Sequence, residues 1–306
     1  MKILVTGATG LVGSALIAAL ARDGHTVCRL VRPQTKTEGG ARSAFDVTWN
    51  PETGELGGAA VGADAVVNLG GASIADGRWT ESRKKILRTS RVDATHALVT
   101  ALAKMNAKPS VLVSASAIGF YGNRGDEVLT ETSTPGEGFL SDVSKDWEAE
   151  ALRAEMFRAR VVLLRFGIIL AKHGGALPKM MLPFKLGVGG RIASGQQWMP
   201  WVVLVDVVEI IKFVLAMRDV SGPINVVAPE PARNVDFTQA LAGALHRPAL
   251  FPAPAIALKL ALGHEMAEAL LLSSHRVVPA ALTRIGYRFL HPQIEPALKA
   301  VLTSHS

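Results

Sequence analysis

Residues 2–33, KILVTGATGLVGSALIAALARDGHTVCRLVRP, decide the fold of this chain. A short apolar run precedes three glycines spaced three apart, an apolar helical repeat and a second apolar run. This order is typical of a βαβ unit that binds a dinucleotide. Gly7 permits a sharp turn, Gly10 permits close approach of a pyrophosphate, and Gly13 permits close packing of helix on strand. We therefore predict a dinucleotide at the start of the first helix, contacted by Gly7, Thr9, Gly10, Leu11 and Val12.

The end of the second predicted strand, residues 26–31, indicates which dinucleotide binds. NAD sites commonly place a carboxylate there for the ribose 2′-hydroxyl, whereas an arginine suits a 2′-phosphate. Residues 26–37 contain no Asp or Glu, and the arginines available are Arg29 and Arg32. Arg32 ends the strand, and a guanidinium can bind phosphate through two parallel hydrogen bonds. We predict NADP(H), with a solvated surface arginine as the alternative reading of Arg32.

Composition limits the other partners. Lys and Arg outnumber Asp and Glu by 33 to 26, which raises nucleic acid and anionic ligands as partners. The basic residues are scattered, however, and their densest group, residues 83–91, lies on one side of a predicted helix without interleaved aromatic residues. A solvated helix face is the favoured interpretation, a platform for an anionic substrate is second, and nucleic-acid binding is not expected.

Further absences point to an ordinary cytoplasmic protein. The single cysteine excludes an internal disulfide. The eight histidines follow no metal-ligand spacing, so no metal site is expected. No run approaches the ~20 apolar residues of a membrane span, and the glycine motif begins too early to leave room for a targeting peptide. We expect a cytoplasmic location, a small-molecule substrate, no membrane partner, and a homodimer as one possible assembly.

Alternating strand and helix patterns predict an α/β fold with a doubly wound parallel sheet of the Rossmann type. Glycine- and proline-rich residues 172–200 interrupt the alternation, and proline-punctuated helices dominate from residue 229. We predict an NADP-binding Rossmann domain of residues 1–170 and 201–228, with a smaller C-terminal substrate lobe of residues 171–200 and 229–306. The predicted strands cover residues 3–6, 26–31, 65–69, 110–114, 160–164 and 224–227, and the predicted helices 92–102, 147–157, 205–217, 236–245, 255–262 and 265–272.

Several longer segments resemble the extended short-chain dehydrogenase/reductases over essentially the whole chain. They include VTGATGLVGSAL at residues 5–16, VSASAIGFYG at 113–122, LRFGIIL at 164–170 and SGQQWMPWV at 194–202. The resemblance is closest to an atypical subgroup usually labelled epimerase-family or sugar-nucleotide epimerase proteins. Residues 263–298 resemble the C-terminal domain of unknown function that often ends members of this subgroup.

The resemblance implies a set of catalytic positions. In that superfamily a tyrosine and a lysine four residues later perform the proton chemistry, while a serine orients the substrate oxygen. The lysine matches Lys145, which would hold the nicotinamide ribose, and the serine matches Ser116. The tyrosine position is Ser141, whose hydroxyl is too weak an acid to replace a phenol without a separate base. The standard proton donor is therefore absent.

Three alternatives remain for the missing tyrosine. Tyr121 could supply a phenol from the other side of the crevice, although a packed aromatic beside Phe120 is an equally good interpretation. Glu127 or Glu131 could supply a carboxyl acid instead. The third alternative is that the site performs no standard redox step. We therefore predict an NADP(H)-dependent oxidoreductase or epimerase acting on a small or nucleotide-linked substrate, with a catalytically inactive NADPH-binding regulatory or scaffold protein as the alternative.

The resemblance also implies contacts around the cofactor. Asn68, Gly70 and Gly71 end the third predicted strand, where small residues let ribose and phosphates pass close to the backbone. Arg78, Trp79 and Arg83 follow in a segment that would face the second lobe.

Overall fold

The computed structural model describes residues 1–33 and 45–303. Its strands are β1 (Lys2–Thr6), β2 (Thr26–Val31), β3 (Asp46–Asn50), β4 (Glu55–Leu56), β5 (Ala65–Asn68), β6 (Val111–Ala117), β7 (Val128–Leu129), β8 (Arg160–Phe166), β9 (Ile168–Leu170), β10 (Trp198–Met199), β11 (Trp201–Val203), β12 (Gly222–Val226), β13 (Ala232–Arg233) and β14 (Arg276–Val277). Its helices are α1 (Leu11–Arg22), α2 (Glu81–Thr89), α3 (Val92–Ala103), α4 (Phe139–Leu152), α5 (Leu177–Lys185), α6 (Leu204–Ala216), α7 (Asn234–Leu245), α8 (Ala255–Leu262), α9 (His264–Ala267), α10 (Ala280–Arg284) and α11 (Ile294–Thr303).

A single large sheet forms the centre of the molecule, in the order β12-β8-β6-β5-β1-β2-β3-β4. All neighbouring strands are parallel except the pair β3 and β4. Apolar side chains on one face pack with α1, α6 and α10, and those on the other face pack with α3 and the end of α4. The predicted α/β fold with a doubly wound parallel sheet is confirmed.

The order of the strands predicts where a ligand crevice lies. From β1 the chain runs outward through β2 and β3, and then returns to β5 on the other side of β1. Ligands of doubly wound sheets bind outside the carboxyl ends of the strands, at the point where the order reverses. The ends of β1 and β5, at Thr6 and Asn68, are that point here.

Two of the departures from the predictions concern elements that border the crevice or its sheet. No strand was predicted at β3, where buried Val47 and Trp49 alternate with polar residues, as in a strand with one covered face. Helix α4 begins eight residues before its predicted start at residue 147. Its first two turns bury Ser141 and Ser144, whose hydroxyls donate to backbone carbonyls, so apolar periodicity does not reveal them.

A separate hydrophobic core lies among α5, α7, α11 and the short strands beside them, and we refer to this part of the chain and α8 as the smaller lobe. The C-terminal tail then returns to the large sheet. Strand β14 pairs with β7, and Ala281 and Leu282 of α10 join the core on the side of α1 and α6. The Asp206 carboxylate accepts hydrogen bonds from the backbone N–H groups of Leu290 and His291. The predicted boundary between the two domains at residue 229 stays a prediction. The contacts of the tail join residues on both sides of that boundary.

None of the helices formed by the described residues combines the length and the apolar composition that a membrane span requires.

The tail carries a buried histidine that makes stability depend on pH. Burial lowers the pKa of His275 from its usual 6.5 to about 4, so the folded state holds the neutral ring. Its contribution to stability is complete above pH 6.5 and is lost as the pH falls from 6.5 to 4. We expect the free energy of unfolding to drop by about 2–3 kcal/mol more in the wild type than in His275→Gln between pH 7 and 4.5, measured by urea unfolding. The control variant His264→Gln, at an exposed histidine, should lose as much free energy of unfolding between pH 7 and 4.5 as the wild type. The same loss in His275→Gln would show that His275 is not the source of the pH dependence.

Candidate functional site

The glycine turn after β1 is shaped so that two of its glycines accept no other residue. Gly7 has φ +64°, and a Cβ there would lie 2.6 Å from the carbonyl oxygen of Leu69. A Cβ on Gly13 would lie 2.2 Å from the carbonyl oxygen of Gly7. Helix α1 begins after Gly10, with no side-chain cap and no acidic residue in its first turn. Its first N–H groups therefore face the crevice without a charge that would repel an anion.

A polar cluster ties the ends of β1 and β5 together. The Thr6 hydroxyl donates to Asn68 Oδ1 at 2.7 Å and accepts from the N–H groups of Leu69 and Gly70 at 2.9 and 3.0 Å. Asn68 Nδ2 donates to the hydroxyls of Thr95 and Ser114. The predicted contact residue Asn68 thus has its side chain occupied by protein partners, and it fixes the loop of Gly70 and Gly71 against the glycine turn. Its cofactor contact stays a prediction.

The two arginines at the end of β2 have different surroundings. Arg29 forms two hydrogen bonds with the carboxylate of Asp46, at 2.6 and 2.9 Å. Arg32 is exposed at the end of the strand, and no side-chain partner is found for it among residues 1–33 and 45–303. Of the pair that the sequence offered, Arg32 is therefore the arginine that remains available to a 2′-phosphate.

Ser116, at the end of β6, belongs to a buried ionic network. Its hydroxyl donates to Glu148 Oε1 at 2.5 Å. The Glu148 carboxylate in turn receives two hydrogen bonds from Arg165, each 2.8 Å long. A hydroxyl has one proton to donate, and here the carboxylate takes it. Toward a ligand, the Ser116 oxygen is left as an acceptor.

Tyr121 is fully buried rather than projecting from its loop. Its hydroxyl donates to Asn225 Oδ1 at 2.7 Å and accepts from Arg165 Nη1 at 2.9 Å. Burial raises the pKa of the Tyr121 phenol, an effect that Arg165 opposes. The ring packs edge-to-face against Phe120, over which Arg165 also stacks. The phenol links β6, β8 and β12, and its catalytic role stays a prediction.

The family's tyrosine and lysine positions lie one turn apart on α4. Ser141 is buried, and its hydroxyl lies 2.8 Å from the carbonyl oxygens of both Phe120 and Gly136. Lys145 is partly exposed and pairs with Asp142 at 2.7 Å. Its ammonium group has three N–H bonds, so donors remain beyond that single pair.

The two carboxylates considered as substitute acids also have protein partners. Glu131 accepts from the backbone N–H groups of Asn225 and Ala281, and so fastens the tail to β12. Glu127 pairs at the surface with Arg124. Neither arrangement directs a carboxyl group at Lys145.

Glu148 and Asn225 were missed by sequence reasoning. Glu148 follows Ser141 by seven residues and Lys145 by three, a spacing that places all three on one side of a helix. That spacing was a usable signal for Glu148. Asn225 carried none, because its partners Tyr121 and Val278 are 104 and 53 residues away in sequence.

Comparison with known proteins agrees with this geometry. The model of the NAD dependent epimerase/dehydratase family matches residues 3–228. This chain belongs to that family. A second model, a domain of unknown function (DUF1731), matches residues 253–301, where the resemblance had placed such a domain. The predicted kinship is confirmed.

Relatives cover the whole chain of this family member. An epimerase family protein of Mycobacterium bovis, Mb2239, is 41% identical over 97% of this chain and 96% of its own. The crystal structure of human epimerase family protein SDR39U1 (isoform2) with NADPH has a TM-score of 0.89 at 33% identity, covering 99% of both chains. UDP-glucuronic acid 4-epimerase from Bacillus cereus, in complex with UDP-glucuronic acid and NAD, shares the fold at 16% identity, with a TM-score of 0.77 and coverage of 99% and 98%.

Proposed function

We propose that this chain binds NADP(H) at the ends of β1 and β5 and acts as an oxidoreductase or epimerase. The observation that supports it best is the glycine turn at the reversal of strand order, with exposed Arg32 at the end of the neighbouring strand. The N–H groups of Leu11 and Val12 would bind the pyrophosphate, Arg32 the 2′-phosphate and Lys145 the nicotinamide ribose. The human relative crystallised with NADPH is consistent with this cofactor.

A bound nicotinamide supplies hydride transfer with a carbonyl or carbinol carbon of the substrate. The residues of this chain must then hold or move one proton at the substrate oxygen. Ser116 accepts a hydrogen bond there, because its own proton is donated to Glu148. Lys145 is the family position that keeps spare N–H donors, so it is the group proposed to deliver the proton.

A specific observation also favours the second function, an NADPH-binding protein without catalysis. The hydroxyls of Ser116, Tyr121 and Ser141 all donate to protein acceptors. A carbonyl oxygen would find no hydroxyl donor among them. In the catalytic function Lys145 delivers the proton to the substrate oxygen, and in the second function it only binds the cofactor.

Substitution of Lys145 tests the catalytic proposal. With carbonyl compounds, NADPH oxidation is followed at 340 nm. With nucleotide sugars, which a fold relative binds together with NAD, the epimerised product is followed by chromatography in the presence of NADP+, because epimerisation causes no net change in the redox state of the cofactor. We expect turnover of at least one substrate class in the wild type and a loss of about 100-fold or more in Lys145→Met. The control variant Lys108→Met replaces an exposed lysine just before the amino-terminal end of β6, away from the carboxyl ends of the strands, and it should behave as wild type. NADPH binding without turnover above background on the whole panel would favour the non-catalytic function.

A further inference from the structure

The smaller lobe exposes large apolar side chains on α5 and at its carboxyl end, on α8, and in the segment just before α8. Six of them are between 56% and 74% exposed, and we refer to them as the apolar lobe surface: Leu182, Leu186, Leu250, Phe251, Ile256 and Leu260. Helix α8 contributes no buried residue at all. Clustered exposure of this kind marks a binding surface more often than single exposed apolar residues do.

Backbone hydrogen bonds join the two halves of the apolar lobe surface. The N–H of Phe251 donates to the carbonyl of Gly189 at 3.1 Å, and that of Ala253 donates to Arg191 at 2.8 Å. Gly189 lies just beyond Leu186, and α8 begins two residues after Ala253. The exposed side chains of α5 and α8 therefore flank one short ladder.

A loop that leaves the proposed active-site crevice contacts both helices of the apolar lobe surface. Residues 72–80, which we call the crevice loop, follow Gly70 and Gly71 at the end of β5. Lys179 Nζ lies 3.2 Å from Asp76 Oδ1 of that loop, and Lys179 shares a face of α5 with Leu182 and Leu186, three and seven residues later.

On the other side, Arg78 of the crevice loop donates to the carbonyls of Leu260 and Ala261, at 2.6 and 3.0 Å. The end of α8 is therefore fastened to the same loop as α5. The crevice loop therefore joins the helices that carry the apolar lobe surface to the end of β5.

The charges around the apolar lobe surface limit which kind of molecule can bind there. Residues 156–205 and 237–264, which carry the whole apolar lobe surface, contain no Asp or Glu, but they include Lys185, Arg191 and Arg247. A second copy of this chain would bring the same basic surface into contact with itself, which is unfavourable. A sugar needs hydrogen-bonding partners, and exposed leucine, isoleucine and phenylalanine side chains offer none.

We propose that the apolar lobe surface binds the hydrocarbon chain of an amphipathic substrate whose polar, reacting end lies in the crevice beside Lys145. This proposal rests on the proposed function, because the crevice defines where the reacting end lies. It assigns a substrate class to the enzyme: a carbonyl or carbinol compound that carries a long alkyl or prenyl chain.

The test uses 11-(dansylamino)undecanoic acid below its micellar concentration, titrated into the full-length protein and followed by fluorescence. We expect Leu182→Asp/Leu260→Asp to weaken binding of this probe by at least tenfold and to leave NADPH affinity unchanged. Met156→Asp, at an equally exposed methionine outside the lobe, should bind the probe as wild type does. Each methylene added to unlabelled competitors between eight and twelve carbons should tighten binding, by up to about fourfold.

Probe binding that is absent in the wild type, or unchanged in the double variant, would overturn the proposal. So would substitutions that alter only self-association in sedimentation velocity, or only co-sedimentation with phosphatidylcholine/phosphatidylglycerol vesicles. Calorimetry with NADPH is performed on the same samples. Chain-length-dependent probe binding without NADPH binding would support the hydrocarbon site while rejecting the proposed function.

Discussion

Replacing Glu148 with glutamine is expected to lower the free energy of unfolding by about 3–5 kcal/mol. The side chains of Arg165 and Glu148 are only 4% and 8% exposed, and two hydrogen bonds join them. Glutamine has nearly the same shape, but it leaves the Arg165 cation buried without a counter-charge. Urea unfolding followed by circular dichroism measures the loss.

A neighbouring glutamate on the same helix provides the control. Glu150 pairs with Arg153 closer to the surface, where both side chains are partly exposed. Glu150→Gln should therefore cost less than about 1 kcal/mol. The double variant Glu148→Met/Arg165→Met should recover at least half of the loss, because it removes both buried charges. Equal effects of Glu148→Gln and Glu150→Gln would show that the buried pair does not hold this part of the molecule.

Replacing Arg32 with alanine is expected to weaken NADPH binding by about 10- to 100-fold. The lost interaction is a charge-assisted contact with the 2′-phosphate, which NADH lacks. Affinity for NADH should change by less than about threefold. Isothermal titration calorimetry measures both constants on the same protein preparation.

Arg22, in the last turn of α1, is the matched control because it lies at the end of the helix away from the crevice. Arg22→Ala should bind both cofactors as the wild type does. Equal losses for NADPH and NADH in Arg32→Ala would assign Arg32 a structural role instead of phosphate recognition.

The glycine turn and the crevice beside it were predictable because their signals are local in sequence. A strand, three glycines, a helix and a second strand fall within residues 2–31, in the predicted order. Gly7 and Gly13 stand where the structure has no room for a Cβ atom, as the sequence predicted. The sequence favoured Arg32 over Arg29 because Arg32 stands at the end of the strand. It could not show that Arg29 is paired, because that pairing depends on Asp46 of β3, a strand that was not predicted.

The network around Ser116 was not predictable for the opposite reason. Its members come from β6, the turn that follows β6, α4, β8 and β12, which are far apart in sequence: Ser116, Tyr121, Glu148, Arg165 and Asn225. Which partner takes each proton depends on side-chain geometry, not on residue type. The sequence left Tyr121 open as an acid or as a packed aromatic residue, and it did not indicate that the Tyr121 hydroxyl donates to Asn225.

The C-terminal tail shows a similar limit. Its helices have recognisable apolar patterns, and α8 has the predicted bounds. Its return to the large sheet depends instead on backbone groups. The N–H of Ala281 binds Glu131, the carbonyl of Val278 binds Asn225, and backbone contacts of this kind leave no trace in residue types.

The account depends on recognition of a phosphorylated adenosine ribose beside the amino-terminal glycine turn. Calorimetric titration of the folded wild-type chain with NADPH and, separately, with NADH tests it most directly. We expect one site per chain for NADPH, and at least tenfold weaker binding of NADH. Heats of dilution alone for both cofactors, or equal affinity for the two, would contradict it.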